Sequence, residues 1–359
     1  MMRRLALCLT LVLTITITSL SACAPSAPAT STGGTSAPSS DKAIELVAST
    51  GASPQFPWYD LLFVEMTTGI EKRSEGRITF RSYHSGQLVG WAEELENLDR
   101  GVIDFCPIFL PQYYGKDDII FTTSKINFLL QDVEHMYRCI DNGWTEIYAR
   151  HLEEWDVKVV GSLSSELGLA DGLFFGKGIR PLRLPTDLVG CKVRAGDALT
   201  KVLIDAAGGE GVFMPSSEIY QALMTGLLNC AHTDITTGWT FKYPEYTDGF
   251  ARLGMGGPVD VPIFNRKTWD SLSPDLQGIV LEVCAQAAKS WRPYPITGYY
   301  VEQDFQKIAE AVPQYNIFSP TPEERGEWIK LAERTVWPEY AKLAGADGTQ
   351  MVAIAAAQR

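Results

Sequence analysis

The feature of the sequence that most constrains the fold is a regular alternation of strand-like and helix-like segments along most of the chain. Residues 44–49 and 77–82 have the composition of strands, and the segment between them has the apolar spacing of a helix. The alternation is most regular in residues 185–234, where strands are expected at 192–195 and 211–214, each followed by a helix. This order predicts an α/β fold in which helices cover mostly parallel sheets.

Apolar stripes and capping residues mark individual helices. The stripes have helical spacing, and their members are Leu95, Leu98 and Val102 in one helix and Ile219, Leu223 and Leu227 in another. The first of these helices should expose three acids, Glu93, Glu94 and Glu96. Ser273 before Pro274 predicts a capped helix start, and Thr321-Pro322-Glu323-Glu324 predicts a capping box.

The first residues have the layout of an export signal. Two arginines precede an apolar stretch at 5–17, which is too short for a spanning helix and is followed by no charged stop. Leu20-Ser21-Ala22-Cys23 then resembles the lipobox of bacterial lipoproteins, in which the cysteine carries the lipid. We therefore expect a lipoprotein signal peptide at 1–22 and lipid attachment at Cys23. The alternative is an ordinary signal peptide cut near the same place.

The stretch that follows the signal is too poor in apolar residues to form a core. Residues 24–40 read APSAPATSTGGTSAPSS. Such a composition cannot offset the entropy lost on ordering, so we expect a flexible tether at 23–42. The tether would hold the folded part away from the membrane that carries the lipid.

Several function classes are excluded by what the sequence lacks. The formal net charge is −12 and there is no basic run, whereas nucleic-acid binding needs clustered cations. The chain has four histidines, and no two have the i, i+4 spacing of a helical zinc site. No nucleophile elbow, P-loop or dinucleotide-binding glycine motif is found. We therefore expect no nucleic-acid partner, metal, cofactor or catalytic residue.

Five cysteines remain once Cys8 and Cys23 are set aside. They are Cys106, Cys139, Cys191, Cys230 and Cys284. Their number is odd and they form no CxxC pair, so most should be buried small hydrophobic residues. One disulfide in an oxidising compartment is left open.

Three blocks of the sequence occur in the order of motifs known from one protein family. Residues 76–105, GRITFRSYHSGQLVGWAEELENLDRGVIDF, have its strand, G-Q-L, glutamate-bearing helix and G-x-I-D. Residues 187–194 correspond to D-L-x-G-x-K-x-R, and 215–229 to E-V-Y-x-A-L-x-T-G-x-V-D. Residues 265–277 resemble N-x-x-x-W-x-x-L-S-x-x-x-Q. Together these blocks resemble the extracytoplasmic solute-binding proteins of TRAP transporters, the DctP type.

The resemblance implies a periplasmic-binding-protein-like fold. In that family two α/β domains, connected by hinge strands and spanned by a long helix, close on a small ligand. Domain I would comprise 43–171 and 260–300, and domain II would comprise 172–259 and 301–325. Residues 326–359 would form a C-terminal helical segment.

The resemblance also implies a ligand and partners. Arg194 matches the family arginine that forms a salt bridge to a carboxylate ligand. A planar guanidinium can bind both oxygens of a carboxylate at once, which a lysine cannot do. The expected partners are a small carboxylate, the TRAP permease subunits and, through the lipid, the outer side of a bacterial membrane.

The chain departs from the family pattern near the ligand. Phe174 stands where many members have a second arginine, and His232 and Thr233 replace the acid and amide of G-x-E-N. Aromatic residues are also frequent at positions expected to face the cleft. The candidate ligand-binding residues are therefore Arg194, Trp91, Phe174, Ser216, His232, Thr233, Trp58, Trp239 and Tyr113. Because aromatic faces offer planar contact area, we expect a monocarboxylate with an apolar or aromatic portion.

Two other functions remain as alternatives at this point. One is a sensor subunit that presents its ligand to a receptor in place of a permease. The other is an exported enzyme that uses the same cleft, with His232, Asp234 and Glu218 as acid and base candidates.

Overall fold

The computed structural model describes residues 43–52, 57–110, 119–164, 170–214 and 216–359. The predicted signal peptide, the tether and Cys23 lie outside the described residues. The described part of the chain belongs to one compact unit, Lys42–Arg359. None of its helices is both long and apolar enough to cross a membrane.

Strands and helices alternate as the sequence predicted. The strands of the described residues are β1 (Ile44–Ser49), β2 (Ile78–Tyr83), β3 (Phe105–Phe109), β4 (Val157–Val159), β5 (Leu163–Ser164), β6 (Asp171–Gly176), β7 (Lys192–Ala195), β8 (Glu210–Phe213), β9 (Cys230–Asp234), β10 (Thr247–Ala251), β11 (Val259–Asn265) and β12 (Asn316–Phe318). The α-helices are α1 (Pro57–Arg73), α2 (Glu94–Asp99), α3 (Val133–Cys139), α4 (Thr145–Leu152), α5 (Ala198–Ala206), α6 (Ser216–Met224), α7 (Ile235–Thr240), α8 (Arg266–Ser271), α9 (Pro274–Trp291), α10 (Pro293–Thr297), α11 (Tyr299–Ala311) and α12 (Pro322–Ala357).

The strands form two sheets that the chain visits in turn. The first sheet has the order β2-β1-β3-β11-β4, with β5 also paired to β11. The second has the order β12-β10-β6-β9-β7-β8. The chain therefore passes from one sheet to the other after β5, after β10 and after β11.

Both sheets are mixed, which corrects the expectation that they would be mostly parallel. In the first sheet β1 is parallel to β2 and β3, but β11 is antiparallel to β3, β4 and β5. In the second sheet β7 is parallel to β8 and β9, but β6 is antiparallel to β9 and β10. A strand that the chain enters from the other sheet needs no crossover helix within its own sheet, so it can be antiparallel, as β11 is to β3, or parallel, as β12 is to β10. The predicted α/β class, with two sheets and a long helix, is confirmed.

The long helix is α12, whose buried side chains share a core cluster with residues of both sheets. It is broken at Gly345, where φ is 61° and ψ is −142°. Residues on both sides of the break reach one threonine: Thr123 Oγ1 contacts the Tyr340 hydroxyl and donates to Met351 Sδ at 3.2 Å. In an unbroken helix these two residues would be separated by about 16 Å along the axis, too far to share one partner.

Local predictions hold at the start of α12 and fail in part at α9. Thr321 Oγ1 accepts from the Glu324 N–H at 3.2 Å, and Glu324 Oε2 accepts from the Thr321 N–H at 2.8 Å, which confirms the capping box. Helix α9 begins at Pro274 as expected. However, the Ser273 hydroxyl donates to Asp275 Oδ1 at 2.5 Å and does not cap the backbone.

Two predicted stripes end early, and one predicted surface acid is buried. Val102 and Leu227 lie beyond the ends of α2 and α6 and are exposed.

Glu94, expected on the exposed face of its helix, is fully buried, and its Oε1 accepts from the Gly51 N–H at 2.7 Å. Burial raises the pKa of Glu94 well above its usual range. The helical pattern wrongly predicted that the Glu94 side chain faces solvent, because its hydrogen-bond partner, the Gly51 N–H, comes from a distant turn after β1.

Candidate ligand-binding site

Polar side chains of three neighbouring strands meet at one edge of the second sheet. Arg194 and His232 lie near the carboxyl ends of the parallel strands β7 and β9. Asp171 begins the antiparallel strand β6 and pairs in register with Asp234. Ligands of open α/β sheets commonly bind beyond the carboxyl ends of strands. We call these four residues, together with Lys125 described below, the sheet-edge site.

Arg194 is held in place by backbone carbonyls. Its Nε donates to the Met214 carbonyl at 2.9 Å and its Nη1 to the His232 carbonyl at 2.6 Å. The residue is 8% exposed, and this burial lowers the pKa of Arg194 although neighbouring acids favour its charge. A Cβ added at Gly196 would lie 3.0 Å from Arg194 Nη1 and 3.1 Å from His232 Nδ1. The guanidinium is therefore pre-positioned and turned away from bulk solvent, and there is no space for a side chain at position 196.

Lys125 joins the site from a segment between the first-sheet strand β3 and helix α3. Its Nζ lies 3.0 Å from Asp171 Oδ2, and the Asp171 side chain is only 4% exposed. Burial disfavours the ammonium, but attraction to Asp171, and then to Asp234 and Asp197, leaves the pKa of Lys125 raised. The sequence analysis missed this residue, because no local pattern distinguishes a lysine that pairs with an acid on a remote strand.

His232 lies among these charges with its ring buried. Neither ring nitrogen has a hydrogen-bond partner among the described residues, and the Asp171 carboxylate is 3.8 Å from Nε2. Burial lowers the pKa of His232 to about 3; Asp197 opposes this shift, and Lys125 and Arg194 add to it. The imidazole is therefore neutral near pH 7 and can both donate and accept a hydrogen bond.

The burial of neutral His232 predicts a loss of stability in acid. The unfolded chain takes up a proton at this residue below about pH 6.5, whereas the folded protein does not until about pH 3. The free energy of unfolding therefore decreases as the pH is lowered from about 6.5 to about 3. One such proton contributes a slope of about 1.4 kcal/mol per pH unit. Urea unfolding of a His232→Gln variant between these values should show a shallower loss. A slope in His232→Gln equal to that of the parent would contradict the assignment.

Asp234 acts as a helix cap and not as the partner of His232. Its Oδ1 accepts from the Thr237 N–H at 2.7 Å, and its Oδ2 accepts from the Thr237 hydroxyl at 2.6 Å. Burial raises the pKa of Asp234. The acid nearest to the His232 ring is Asp171, and Glu218, the third catalytic candidate, is exposed on α6. The arrangement required by the enzyme alternative is not formed.

Three other predicted ligand-binding residues have described side chains, one of them buried and two half-buried. Thr233 is buried beside His232, and its hydroxyl donates to Asp234 Oδ2 at 3.4 Å. Trp91 is half-buried near the first sheet and stacks on Phe109 with ring centroids 6.4 Å apart. Trp239 is half-buried against the core cluster of the second sheet. Whether they contact ligand stays a prediction.

Phe174 is placed differently from the expectation. It is fully buried, and its ring lies 4.6 Å from that of Phe250 and 5.5 Å from that of Tyr243, centroid to centroid. The reason is that its position on β6 points into the core of the second sheet, under α7. We therefore assign Phe174 a packing role. Tyr113 and the side chains of Trp58 and Ser216 lie outside the described residues.

The described residues contain no cluster of histidine, cysteine and acidic side chains able to hold a metal ion. The sheet-edge site instead combines one fixed guanidinium, one ion pair and one neutral imidazole. The net charge of the protein is negative and does not attract anions at long range, so an anion must be bound by a few directed hydrogen bonds. This set of side chains can form such bonds.

Comparison with known proteins identifies the family of this chain. A family model described as bacterial extracellular solute-binding protein, family 7 (DctP), matches residues 48–343. A protein of Albidiferax ferrireducens named solute-binding protein is 24% identical over 285 residues, covering 78% of this chain and 81% of the relative.

Two solved structures share the fold. A TRAP periplasmic solute-binding protein of Chromohalobacter salexigens with bound D-glucuronate has a TM-score of 0.73 and 20% identity, covering 88% of this chain and 100% of that one. A TRAP periplasmic solute-binding protein of Shewanella oneidensis with bound succinate has a TM-score of 0.71 and 19% identity, covering 88% and 99%. Because the family model spans most of the chain, the protein belongs to the DctP family of bacterial extracellular solute-binding proteins, which are receptors and not enzymes.

Proposed function

We propose that the protein captures a small organic acid at the sheet-edge site and delivers it to the membrane subunits of a TRAP transporter. The observation that carries the proposal is the buried Arg194, whose guanidinium is fixed by the carbonyls of Met214 and His232. A fixed, dry guanidinium forms stronger bonds to a carboxylate than an exposed one does. The family membership supports the receptor role.

The charges of the site favour a ligand with one carboxylate. Lys125 is paired with Asp171, and the buried Arg194 guanidinium is the cation that we expect a ligand carboxylate to meet. A second carboxylate would approach Asp171 and Asp234, both buried. One solved structure with this fold binds glucuronate, a monocarboxylate, and another binds succinate, a dicarboxylate. The fold is therefore compatible with both classes of acid. Half-buried Trp91 and Trp239 are the candidates for contact with an apolar or aromatic portion.

A thermal-shift screen tests the ligand class. A ligand at about 100 times its Kd should stabilise the processed protein by roughly 2.7 kcal/mol. We expect shifts with aromatic acids, keto acids or uronic acids, and smaller or no shifts with succinate and malate. The matching uncharged amides are the control and should have no effect. Stabilisation by succinate or malate alone would contradict the monocarboxylate preference.

We also propose that the two sheets belong to two domains that close on the ligand. The passages of the chain between the sheets, after β5, β10 and β11, support the boundaries expected at 43–171 with 260–300 and at 172–259 with 301–325. Closure around a bound ligand would give the permease a distinct surface to recognise.

We propose that the protein is exported, cleaved before Cys23 and lipid-anchored, with 23–42 as its tether. The support is the lipobox-like Leu20-Ser21-Ala22-Cys23 after a short apolar stretch. In a bacterial host, a Cys23→Ser variant should move from the membrane fraction to the soluble exported fraction, whereas a Cys8→Ser control should stay with the membrane. Recovery of Cys23→Ser in the membrane fraction at the parent level would contradict lipid attachment at this residue.

A further inference from the structure

The His232 ring offers hydrogen bonds that the described residues do not use. The residue is 2% exposed, and neither Nδ1 nor Nε2 has a hydrogen-bond partner in the described part of the chain. Leaving a buried polar group unpaired costs free energy, so such a group is commonly satisfied by a bound molecule. The His232 carbonyl accepts from Arg194 Nη1 at 2.6 Å, which places the ring beside the cation of the sheet-edge site. We therefore expect the ring to face a polar part of the ligand.

The acids around the ring decide which nitrogen carries the proton. Asp171 Oδ2 lies 3.8 Å from His232 Nε2 and 3.0 Å from Lys125 Nζ. Although 3.8 Å is too long for a hydrogen bond, the negative carboxylate favours a proton on Nε2 over a lone pair. Asp197, which also attracts His232, has its carboxylate oxygens engaged by the Thr200 N–H and hydroxyl. Because burial keeps the imidazole neutral, its single proton lies on Nε2 and Nδ1 is an acceptor.

This acceptor and the Arg194 guanidinium border the same place next to Gly196. A Cβ at this glycine would lie 3.0 Å from Arg194 Nη1 and 3.1 Å from His232 Nδ1. Such distances are too short for a carbon atom but normal for a hydrogen-bonded oxygen. A ligand oxygen that packs against the Gly196 Cα can therefore contact both nitrogens. Nη1 has a second N–H besides the one bonded to the His232 carbonyl, so it can donate to this oxygen while Nδ1 accepts from it.

A hydroxyl is the uncharged oxygen group that satisfies a donor and an acceptor at once. It accepts from Arg194 Nη1 and donates to His232 Nδ1. A keto oxygen can only accept, so its lone pairs would face the lone pair of Nδ1. A ligand with only hydrogen at this position would leave Nδ1 buried without a partner. The pair of nitrogens therefore distinguishes a hydroxyl from the two closest substitutes.

We propose that the ligand is a 2-hydroxy monocarboxylic acid and that His232 Nδ1 selects it by accepting a hydrogen bond from its hydroxyl. This inference rests on the proposed capture of an organic acid by Arg194. In a 2-hydroxy acid the hydroxyl is on the carbon next to the carboxylate, so both groups can lie beside one guanidinium. Asp171 sets the tautomer of the imidazole, and the absence of a side chain at Gly196 lets the hydroxyl approach.

Isothermal titration with matched acids tests the selection. One set is 3-phenyllactate, phenylpyruvate and 3-phenylpropanoate, which share a carboxylate and an aromatic ring and differ only at carbon 2. A second set, with a branched aliphatic chain, is 2-hydroxy-4-methylpentanoate, 4-methyl-2-oxopentanoate and 4-methylpentanoate. In each set that binds, the Kd of the hydroxy acid should be at least about tenfold lower than that of the other two acids.

The outcomes separate this inference from the proposed function. Equal affinities within a set, or a keto acid that binds most tightly, would overturn selection by His232 and leave the capture of an acid intact. Binding of none of the six acids would overturn the inference together with the proposed capture of a monocarboxylate.

Two variants of His232 locate the selection on Nδ1. His232→Asn places its amide near the position of Nδ1 and can still accept there, so it should keep the preference for the hydroxy acid. The longer side chain of His232→Gln places its amide near the position of Nε2, so this variant should bind the three acids of a set equally. Both should bind the acid without a hydroxyl about as tightly as the parent does. An unchanged preference in His232→Gln would overturn the role of Nδ1.

Gly196→Ala gives an independent measurement. The added methyl group would take the place of the hydroxyl between Arg194 Nη1 and His232 Nδ1, so the affinity for the hydroxy acid should fall by at least about tenfold. Gly278→Ala is the control and should keep the parent affinity, since nothing lies within 4 Å of its added Cβ. A melting curve shows that each variant is folded. Parent-like affinity of Gly196→Ala for the hydroxy acid would show that the hydroxyl does not lie between these nitrogens.

Discussion

Replacing Arg194 by lysine should weaken binding of the ligand acid by at least about 100-fold, equivalent to about 2.8 kcal/mol. The variant keeps a positive charge but loses the planar fork, and its single ammonium cannot reproduce the bonds to the carbonyls of Met214 and His232 and still bind both carboxylate oxygens. Isothermal titration with the strongest acid from the thermal-shift screen measures the change. Circular dichroism and a melting curve establish that the variant is folded.

The matched control for this experiment is Arg100→Lys. Arg100 is exposed and pairs with Glu96 one helical turn away, so the exchange should leave affinity unchanged. If Arg194→Lys binds the acid as tightly as the parent does, the sheet-edge site does not hold the carboxylate.

Replacing Gly238 by alanine should cost about 3 kcal/mol of folding stability, because the added methyl group would overlap a buried ring. Gly238 lies in α7, and its added Cβ would be 2.0 Å from Phe174 Cζ and 2.4 Å from Phe174 Cε2. The Phe174 ring cannot move away, because Phe250 and Tyr243 enclose it. Urea unfolding without ligand measures the loss.

Two further variants make this prediction specific. In the double variant Gly238→Ala with Phe174→Leu, the obstructing ring is replaced by a smaller side chain. The double variant should therefore lose less stability than the sum of the losses of the two single variants. Gly278→Ala in α9 is the control, since nothing lies within 4 Å of its added Cβ, and it should be neutral or stabilising by up to about 1 kcal/mol. Parent-like stability of Gly238→Ala would show that α7 does not pack on Phe174 in this way.

Local patterns predicted several elements well. The strands at 44–49 and 192–195 were predicted with the bounds of β1 and β7. The capping box at Thr321 was also correct, because all its partners lie within four residues. Arg194 was identified from its position in a family motif, and its burial at the end of β7 agrees with that identification.

Long-range partners could not be predicted in the same way. Lys125 pairs with Asp171 and Glu94 with Gly51, and neither pair is close in sequence. Phe174 was read as a cleft residue because it stands in the place of an arginine in related proteins, whereas its contacts in the second sheet make it a core residue. The environment of each of these side chains, whether core, solvent or site, is decided by tertiary packing against residues that are remote in the sequence.

The break of α12 at Gly345 has a consequence for the position of Lys125. The match to the family model ends at residue 343, just before the break. Met351, which follows the break, accepts a hydrogen bond from the hydroxyl of Thr123, two residues before Lys125. The carbonyl of Ala355, in the same part of α12, lies 2.7 Å from Nε2 of His135. The segment that presents Lys125 to Asp171 is thus supported by residues that follow the break. A change in the residues after the break is therefore expected to shift Lys125 relative to Asp171, although none of these residues belongs to the sheet-edge site.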